Sequence, residues 1–377
     1  MSEQDAGDRS AMSIQRTARD PHAFVGTLRD WLRTQLPDGA DPELTIDEVL
    51  TSNGLSSVTV LCTLVWRNGI NEVVEPLAVR LCPAADEAPL HGCDELRRHY
   101  EVMRVVGELS DLPIPQVHWV EHSGNVVGSP FFCMRRVEGE APADVRPYTL
   151  GDNWLFDGTQ EQRAALQEAS VEVLAKLHEL PDPTEHFSFL EYDTLGETHL
   201  ARHLAHTKRW YRFAAGDFGP VPVVEEALAW LGEHLPSDDS AVVSWGDARI
   251  GNILYHDFTP EAVIDWEMAA LGPREIDLLW MVTSHQICQE VAQAKGLPGL
   301  PDFMAAEDVL EQYYRFTGYR ARHVDWYRVY VSTIWTIVFM RTGWRQVQFG
   351  NVPRPDDRRE LLYSLPLLTR ELARQRR

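Results

Sequence analysis

Cysteine is scarce in this chain. Five residues in 377 (Cys62, Cys82, Cys93, Cys133 and Cys288) lie scattered, with no C-x-x-C pair. That spacing argues against a disulfide framework and a thiolate zinc site, and predicts reduced thiols and a cytoplasmic location. Positive charge is also short: 35 Lys and Arg against 57 Asp and Glu leave a formal charge of −22. An acidic surface repels phosphate backbones, so no nucleic-acid partner is expected. Long uncharged apolar runs are missing too. The most hydrophobic stretch, VDWYRVYVSTIWTIVFMRTGW (Val324 to Trp344), carries Asp325, Arg328 and Arg341. Its uncharged interior is too short to cross a bilayer, so it reads as a buried core helix and no membrane partner is expected. Residues 1–20 have no apolar core, so they are read as a mobile tail and not as a secretory signal. The chain has no internal repeat and no low-complexity tract.

A chain of this length exceeds one comfortable core, which predicts two lobes or domains. The first part reads as strands. SSVTVLCTLVW (Ser56 to Trp66) is rich in β-branched residues, RNG supplies a turn, and EVVEPLAVRLC (Glu72 to Cys82) returns, with Pro76 weakening only its start. A helix follows in DELRRHYEVMRVVGEL, whose Leu96, Tyr100, Met103, Val106 and Leu109 recur at spacings of three and four. QVHWVE and PFFCMRRVEG then read as strands, the second running into a linker. Beyond Gly139 the pattern turns helical. TQEQRAALQEASVEVLAKLHEL opens with a Thr159 cap, and further helices follow near VEEALAWLGEHL, EDVLEQYYRFTG and the Val324 segment.

One stretch interrupts this helical half: SWGDARIGNILYHDFTPEAVIDWE, Ser244 to Glu267. Asp247 follows a short strand, Asn252 stands where the next begins, and Asp265 stands where the strand after a DFTP turn ends. Residues at one end of antiparallel neighbours come within reach of a single ion although distant in sequence. Carboxylate and amide oxygens are hard donors suited to Mg²⁺. A further carboxylate could orient an acceptor hydroxyl, the division of labour that phosphoryl transfer requires. Asp and Asn also make ordinary turns, and an isolated D-x-x-x-x-N is uninformative. The Gly before the Asp, the hairpin and the terminal Asp-Trp-Glu together favour chemistry.

The segment resembles the aminoglycoside phosphotransferase-like kinase family, which also includes choline, fructosamine and methylthioribose kinases. Its H-G-D-x-x-x-x-N-x-L and V-I-D-W-E are matched here by W-G-D-A-R-I-G-N-I-L and V-I-D-W-E. LAKLHEL, PFFCMRRVEG and GPREIDLLW are similar to further family segments, and the resemblance covers residues from about 45 to 345. It is nearest to the subgroup related to the kinase domain beside some acyl-CoA dehydrogenases. The resemblance implies an α+β, protein-kinase-like two-lobed fold: a small antiparallel-sheet N-lobe (21–134), a hinge linker (135–139) and a larger helical C-lobe (140–377). It implies ATP and Mg²⁺ as cofactors and a small-molecule hydroxyl as acceptor.

By the same resemblance Asp247 is the base or orienter of the acceptor hydroxyl, and Asn252 and Asp265 hold the metal. Arg249 either meets the transferring phosphoryl group or salt-bridges to a neighbour. Asp277 braces the catalytic loop or serves as a helix N-terminal carboxylate. Ser52, Asn53, Gly54 and Ser56 form a small-residue turn over the phosphates. Arg80 occupies the place of the phosphate-binding Lys. Direct alignment puts His99 where its acidic partner is expected, and Glu95, one turn earlier, is the substitute. Met134 lies behind the adenine, with the backbone of Arg135 and Val137 on the base. Glu267 either touches substrate or completes a turn, and the turn is favoured. Trp245 replaces the family's loop-holding His, so the loop is expected to be held differently. The helical half is rich in aromatics, with Trp210 and Trp335 the candidate pocket walls, and it has no dense acidic run that would bind a polycation. An alternative is a nucleotide-binding protein of this fold without transfer activity.

Overall fold

The computed structural model describes residues 20–50, 58–83, 94–144, 146–237 and 240–376, with only the backbone of residues 21, 94 and 95. Strands β1 (Glu43–Leu50), β2 (Val58–Asn68), β3 (Asn71–Leu81), β4 (Val117–Glu121) and β5 (Phe131–Arg135) form one antiparallel sheet in the order β1-β2-β3-β5-β4. Helix α1 (Val25–Arg33) precedes the sheet and α2 (Asp94–Leu109) connects β3 to β4. Strand alternation divides the sheet's two faces. Val58, Val60, Cys62 and Leu64 of β2, with Leu77, Val79 and Leu81 of β3, pack under Leu28 and Leu32 of α1. Ala78, Phe132 and Met134 face the other way, onto Val102, Met103 and Val106 of α2. That parity sets Arg80 on the face of Ala78, toward α2 and the helical half.

In the sheet half, two elements escaped the sequence reading, α1 and β1. The ELTIDEVL of β1 alternates, but its three acids mask the pattern. Pro76 does not shorten β3, which begins at Asn71. Beyond the Leu77–Arg135 pair one bond still crosses to the chain leaving β5, from Arg136 N–H to Pro76 O at 2.9 Å, so the missing N–H costs a bond only at the very end of that ladder. The expectation of reduced thiols throughout also needs correcting: Cys82 is disulfide-bonded, whereas Cys62, Cys133 and Cys288 are free.

The helical half comprises α3 (Trp154–Asp157), α4 (Gln160–His178), α5 (Pro183–His186), α6 (His199–Phe218), α7 (Pro222–Glu233), α8 (Arg274–Ala294), α9 (Ala306–Thr317), α10 (Val324–Gln348) and α11 (Leu365–Arg374). Thr159 caps α4 in a reciprocal capping box with Gln162. The Val324 segment forms α10, a core helix packed by α6, α7, α8 and α11. No helix among the described residues is long and apolar enough to cross a membrane. Four short strands sit among these helices: β6 (Val242–Ser244) pairs with β9 (Ala270–Gly272), and β7 (Ile253–His256) with β8 (Thr259–Val263). The segment after β5 is stitched to the second hairpin, since Glu140 and Tyr255 exchange backbone hydrogen bonds of 2.9 and 3.0 Å. Val263 N–H donates to Pro113 O at 2.8 Å, tying the hairpin to the loop below α2.

Candidate active site

The loop after β6 is held by one buried carboxylate. Asp277, fully buried in the first turn of α8, accepts from Ser244 Oγ (2.8 Å), Trp245 N (2.7 Å), Gly246 N (2.9 Å) and His178 Nε2 (3.0 Å). Both readings of Asp277 meet here: it stands at a helix N-terminus and it grips the loop. Backbone donors around a carboxylate confer more order than a neutral acceptor would. Gly246 has φ +86°, and a Cβ there would lie 2.1 Å from the carbonyl oxygen of Met268, so only glycine fits. Trp245 takes over the tethering expected of a His. Its indole N–H points at Ile264 O (3.1 Å) and Asp265 O (3.2 Å), linking this loop to the end of β8.

Asp247 emerges from this clamp with both oxygens engaged. Oδ1 accepts from Trp280 Nε1 at 2.7 Å and Oδ2 from Asn252 Nδ2 at 2.6 Å. Arg249 Nε spans both at 3.0 and 3.1 Å. The other end of Arg249 reaches Asp144, Nη1 to Oδ2 at 2.5 Å. Trp280 and Asp144 were not found by sequence reasoning. Trp280 lies in the quoted REIDLLW, but a Trp in a buried helix reads as core, and its face does stack on Trp335 at 4.8 Å.

Asp265 lies beside this group. Ile264 N–H donates to the Asn252 carbonyl at 2.9 Å, so the chain enters Asp265 directly from contact with Asn252. Asp265 holds φ +62°, an uncommon conformation for a residue with a side chain. Its Oδ1 accepts from Arg80 Nη2 at 2.7 Å, and Arg80 also reaches Glu267 Oε2 at 3.1 Å. Glu267 is therefore an ion-pair partner and not merely a turn residue, which corrects the sequence expectation. The Asp265 carboxyl is raised to about 7, chiefly by burial, with Glu267 and Asp247 adding to the rise and Arg80 and Arg249 opposing it. His99 stands nearby, buried. Burial and then the Arg80 charge keep its imidazole well below the usual range, so it is neutral and its Nε2 accepts the Trp266 N–H at 3.2 Å.

These groups fit a divalent cation. Asn252 directs its amide N–H at Asp247, leaving its amide oxygen, a hard donor, for other use. A buried carboxylate held near 7 despite a guanidinium neighbour lacks positive charge that a cation would supply.

At the sheet's edge Met134 is buried and opposite Ala78 and Val117. The Arg135 N–H is already donated to Gln116 O (2.8 Å) and that of Arg136 to Pro76 O (2.9 Å). Arg135 can thus offer a base only its carbonyl, which narrows the sequence expectation. Ser52, Asn53, Gly54 and Ser56, and the side chain of Glu95, lie outside the described residues. A cavity opens next to Gly246, bounded by Arg98, Tyr192, Trp210, Glu267, Trp280 and Tyr330. Trp210 is thus a wall as expected, whereas Trp335 is not among the lining residues and stands behind Trp280.

The profile of the phosphotransferase enzyme family matches residues 64–312. Acyl-CoA dehydrogenase family member 11 of Homo sapiens is 25% identical over 243 residues, 62% of this chain and 29% of that protein. The chain spans 20% to 29% of the length of such curated relatives. A solved structure from Ralstonia eutropha, provisionally named an aminoglycoside phosphotransferase, superposes with a TM-score of 0.62 at 19% identity, covering 92% of this chain and 94% of that one. The streptomycin–ATP ternary complex of APH(2")-IIa does so with a TM-score of 0.52 at 14% identity, over 93% and 96%. At these identities the structural likeness establishes the fold, which is the expected α+β protein-kinase-like one.

Proposed function

The chain belongs to the phosphotransferase enzyme family, and we propose that it is a kinase transferring the γ-phosphoryl group of ATP to a hydroxyl of a small molecule. The observation that carries this reading is the convergence of Asp247, Asn252 and Asp265, 5 and 13 residues apart in sequence, beside one buried loop. Asp247 orients the acceptor hydroxyl and takes its proton. Asn252 and Asp265 hold Mg²⁺, which supplies charge neutralisation at the phosphates. Arg80 exchanges its Asp265 and Glu267 contacts for phosphate oxygens, a planar fork suited to two acceptors. The hinge is residues 135–139, where the Arg135 carbonyl and the Val137 backbone meet the adenine edge. Ser52, Asn53, Gly54 and Ser56 cover the phosphates.

The acceptor enters the cavity beside Gly246. Tyr192, Trp210, Trp280 and Tyr330 give it aromatic walls, and its acid Glu267 is paired with Arg80. Such walls favour a hydroxylated molecule with apolar surface over a polycation. Dependence on ATP suits a cytoplasmic location, whereas the Cys82 disulfide argues against one.

The test is ATP turnover across a panel of hydroxylated metabolites, wild type beside Asp247→Ala. Stimulation of the wild type alone supports the kinase. The competing reading, a nucleotide binder without transfer, draws on the Arg80–Asp265 pair, which engages the metal-holding carboxylate. ATP binding with no stimulation by any panel member would support it. Stimulation only by polycationic aminoglycosides would overturn the acceptor assignment.

A further inference from the structure

We infer that Asp144 is a positioning residue for phosphoryl transfer: it fixes the Arg249 guanidinium so that the remaining nitrogen faces the γ-phosphate. The inference rests on the kinase reading above and adds a residue outside the catalytic hairpin. Asp144 belongs to the segment that leaves the hinge. Its carboxylate meets Arg249 Nη1 at 2.5 Å, while Arg249 Nε is held by the two oxygens of Asp247. Two carboxylates on separate segments thus clamp two of the three guanidinium nitrogens, and neither pair uses Nη2. A planar group held at two corners has its third corner fixed in direction, which a single flexible ion pair does not achieve. The site is largely withdrawn from water, with side-chain exposures of 12% for Arg249 and 28% for Asp144. Ion pairs of this kind are screened less than surface ones.

Gly251 is an independent sign that the clamp is built into the loop. A Cβ at that position would lie 2.4 Å from Arg249 Nη1 and 2.7 Å from Asp144 Oδ1. The backbone there needs no left-handed conformation, so the glycine's role is to leave room for the pair. An alanine would displace two side-chain ends and leave the backbone in place.

Charge explains why a second carboxylate is needed. With Asp247 as its only partner, Arg249 would fold fully onto the carboxylate that orients the acceptor. Asp144 draws the guanidinium outward and keeps it shared. The clamp would also carry the position of the hinge segment to the catalytic loop, since Glu140, four residues earlier, is bonded to Tyr255 of β7.

Calorimetry with MgADP and with Mg-AMP-PNP, which differ in the γ-phosphate, tests this on the purified chain. Asp144→Asn and Gly251→Ala are each expected to leave MgADP affinity within twofold of wild type and to weaken Mg-AMP-PNP about tenfold or more. Arg249→Gln is expected to show the same selective loss. Equal losses for both nucleotides, or none, in Asp144→Asn would overturn the inference and indicate a structural ion pair. A wild type that binds neither nucleotide in a magnesium-dependent way would instead sink the kinase reading beneath it. Retention of selective loss in Gly251→Ala, whose charges are intact, separates displacement of the clamp from removal of a charge.

Discussion

Replacing Asp277 by Asn tests how far one buried carboxylate organises the catalytic loop. Asn has the same shape but offers one acceptor oxygen and one NH₂ group. In either orientation the NH₂ meets donors: Trp245 N–H and His178 on one side, or Gly246 N–H and Ser244 Oγ on the other. Ser244 can rotate its hydroxyl and His178 can change tautomer, but a backbone N–H cannot become an acceptor. At least one buried donor is therefore left facing another, at about 1–3 kcal/mol, and the remaining bonds lose charge assistance, giving a total cost of about 3–5 kcal/mol. At about 2 °C per kcal/mol for a chain of this size, the melting temperature should fall by roughly 6–10 °C. Scanning calorimetry reads the melting temperature, and coupled ATP turnover reads the loop. A displacement of Asp247 by about 1 Å costs on the order of 10²-fold in rate. Melting within about 1 °C of wild type, with turnover retained, would show that the four bonds to Asp277 do not organise the loop.

Two further outcomes follow from the same geometry. Trp280→Phe removes the indole N–H from Asp247 Oδ1 and keeps the ring against Trp335. Turnover should drop about tenfold, the worth of one charge-assisted hydrogen bond, with Mg-nucleotide affinity from calorimetry unchanged; an equal loss of affinity would count against a role at Asp247. The Asp265 carboxyl sits at about 7 because it is buried, so it is protonated at lower pH and a proton competes with the metal there. Magnesium-dependent nucleotide affinity should rise about tenfold per unit as pH increases from 5 to 7 and level off above, and a flat profile would remove Asp265 from the metal site.

Much of the site was readable because its chemistry is local. Asp247, Asn252 and Asp265 stand at fixed distances along one hairpin, and strand length plus a tight turn suffices to return them to the same end. The β-branched run of β2 and its return in β3 were likewise readable as strands, whereas the turn of Arg80 toward the helical half showed only in the structure. The partners brought by other segments were not readable. Asp144 is 103 residues before Asp247 and lies in irregular chain, with no periodicity to flag it. Trp280 reads as core, and it is core, yet its one polar atom reaches Asp247. The Arg80 pairs with Asp265 and Glu267 span 185 and 187 residues.

The amino-acid order by itself determined which residue types are available to bind hard cations and phosphates, and their spacing within the catalytic hairpin. It also determined the two-lobed α+β class, because hydrophobic period follows from side-chain direction in strands and helices. Tertiary structure alone decided the electrostatics. Whether Asp265 titrates near 3.8 or 7 depends on burial and on charges contributed by β3 and by the loops. Those distances are set by packing, which no local pattern encodes.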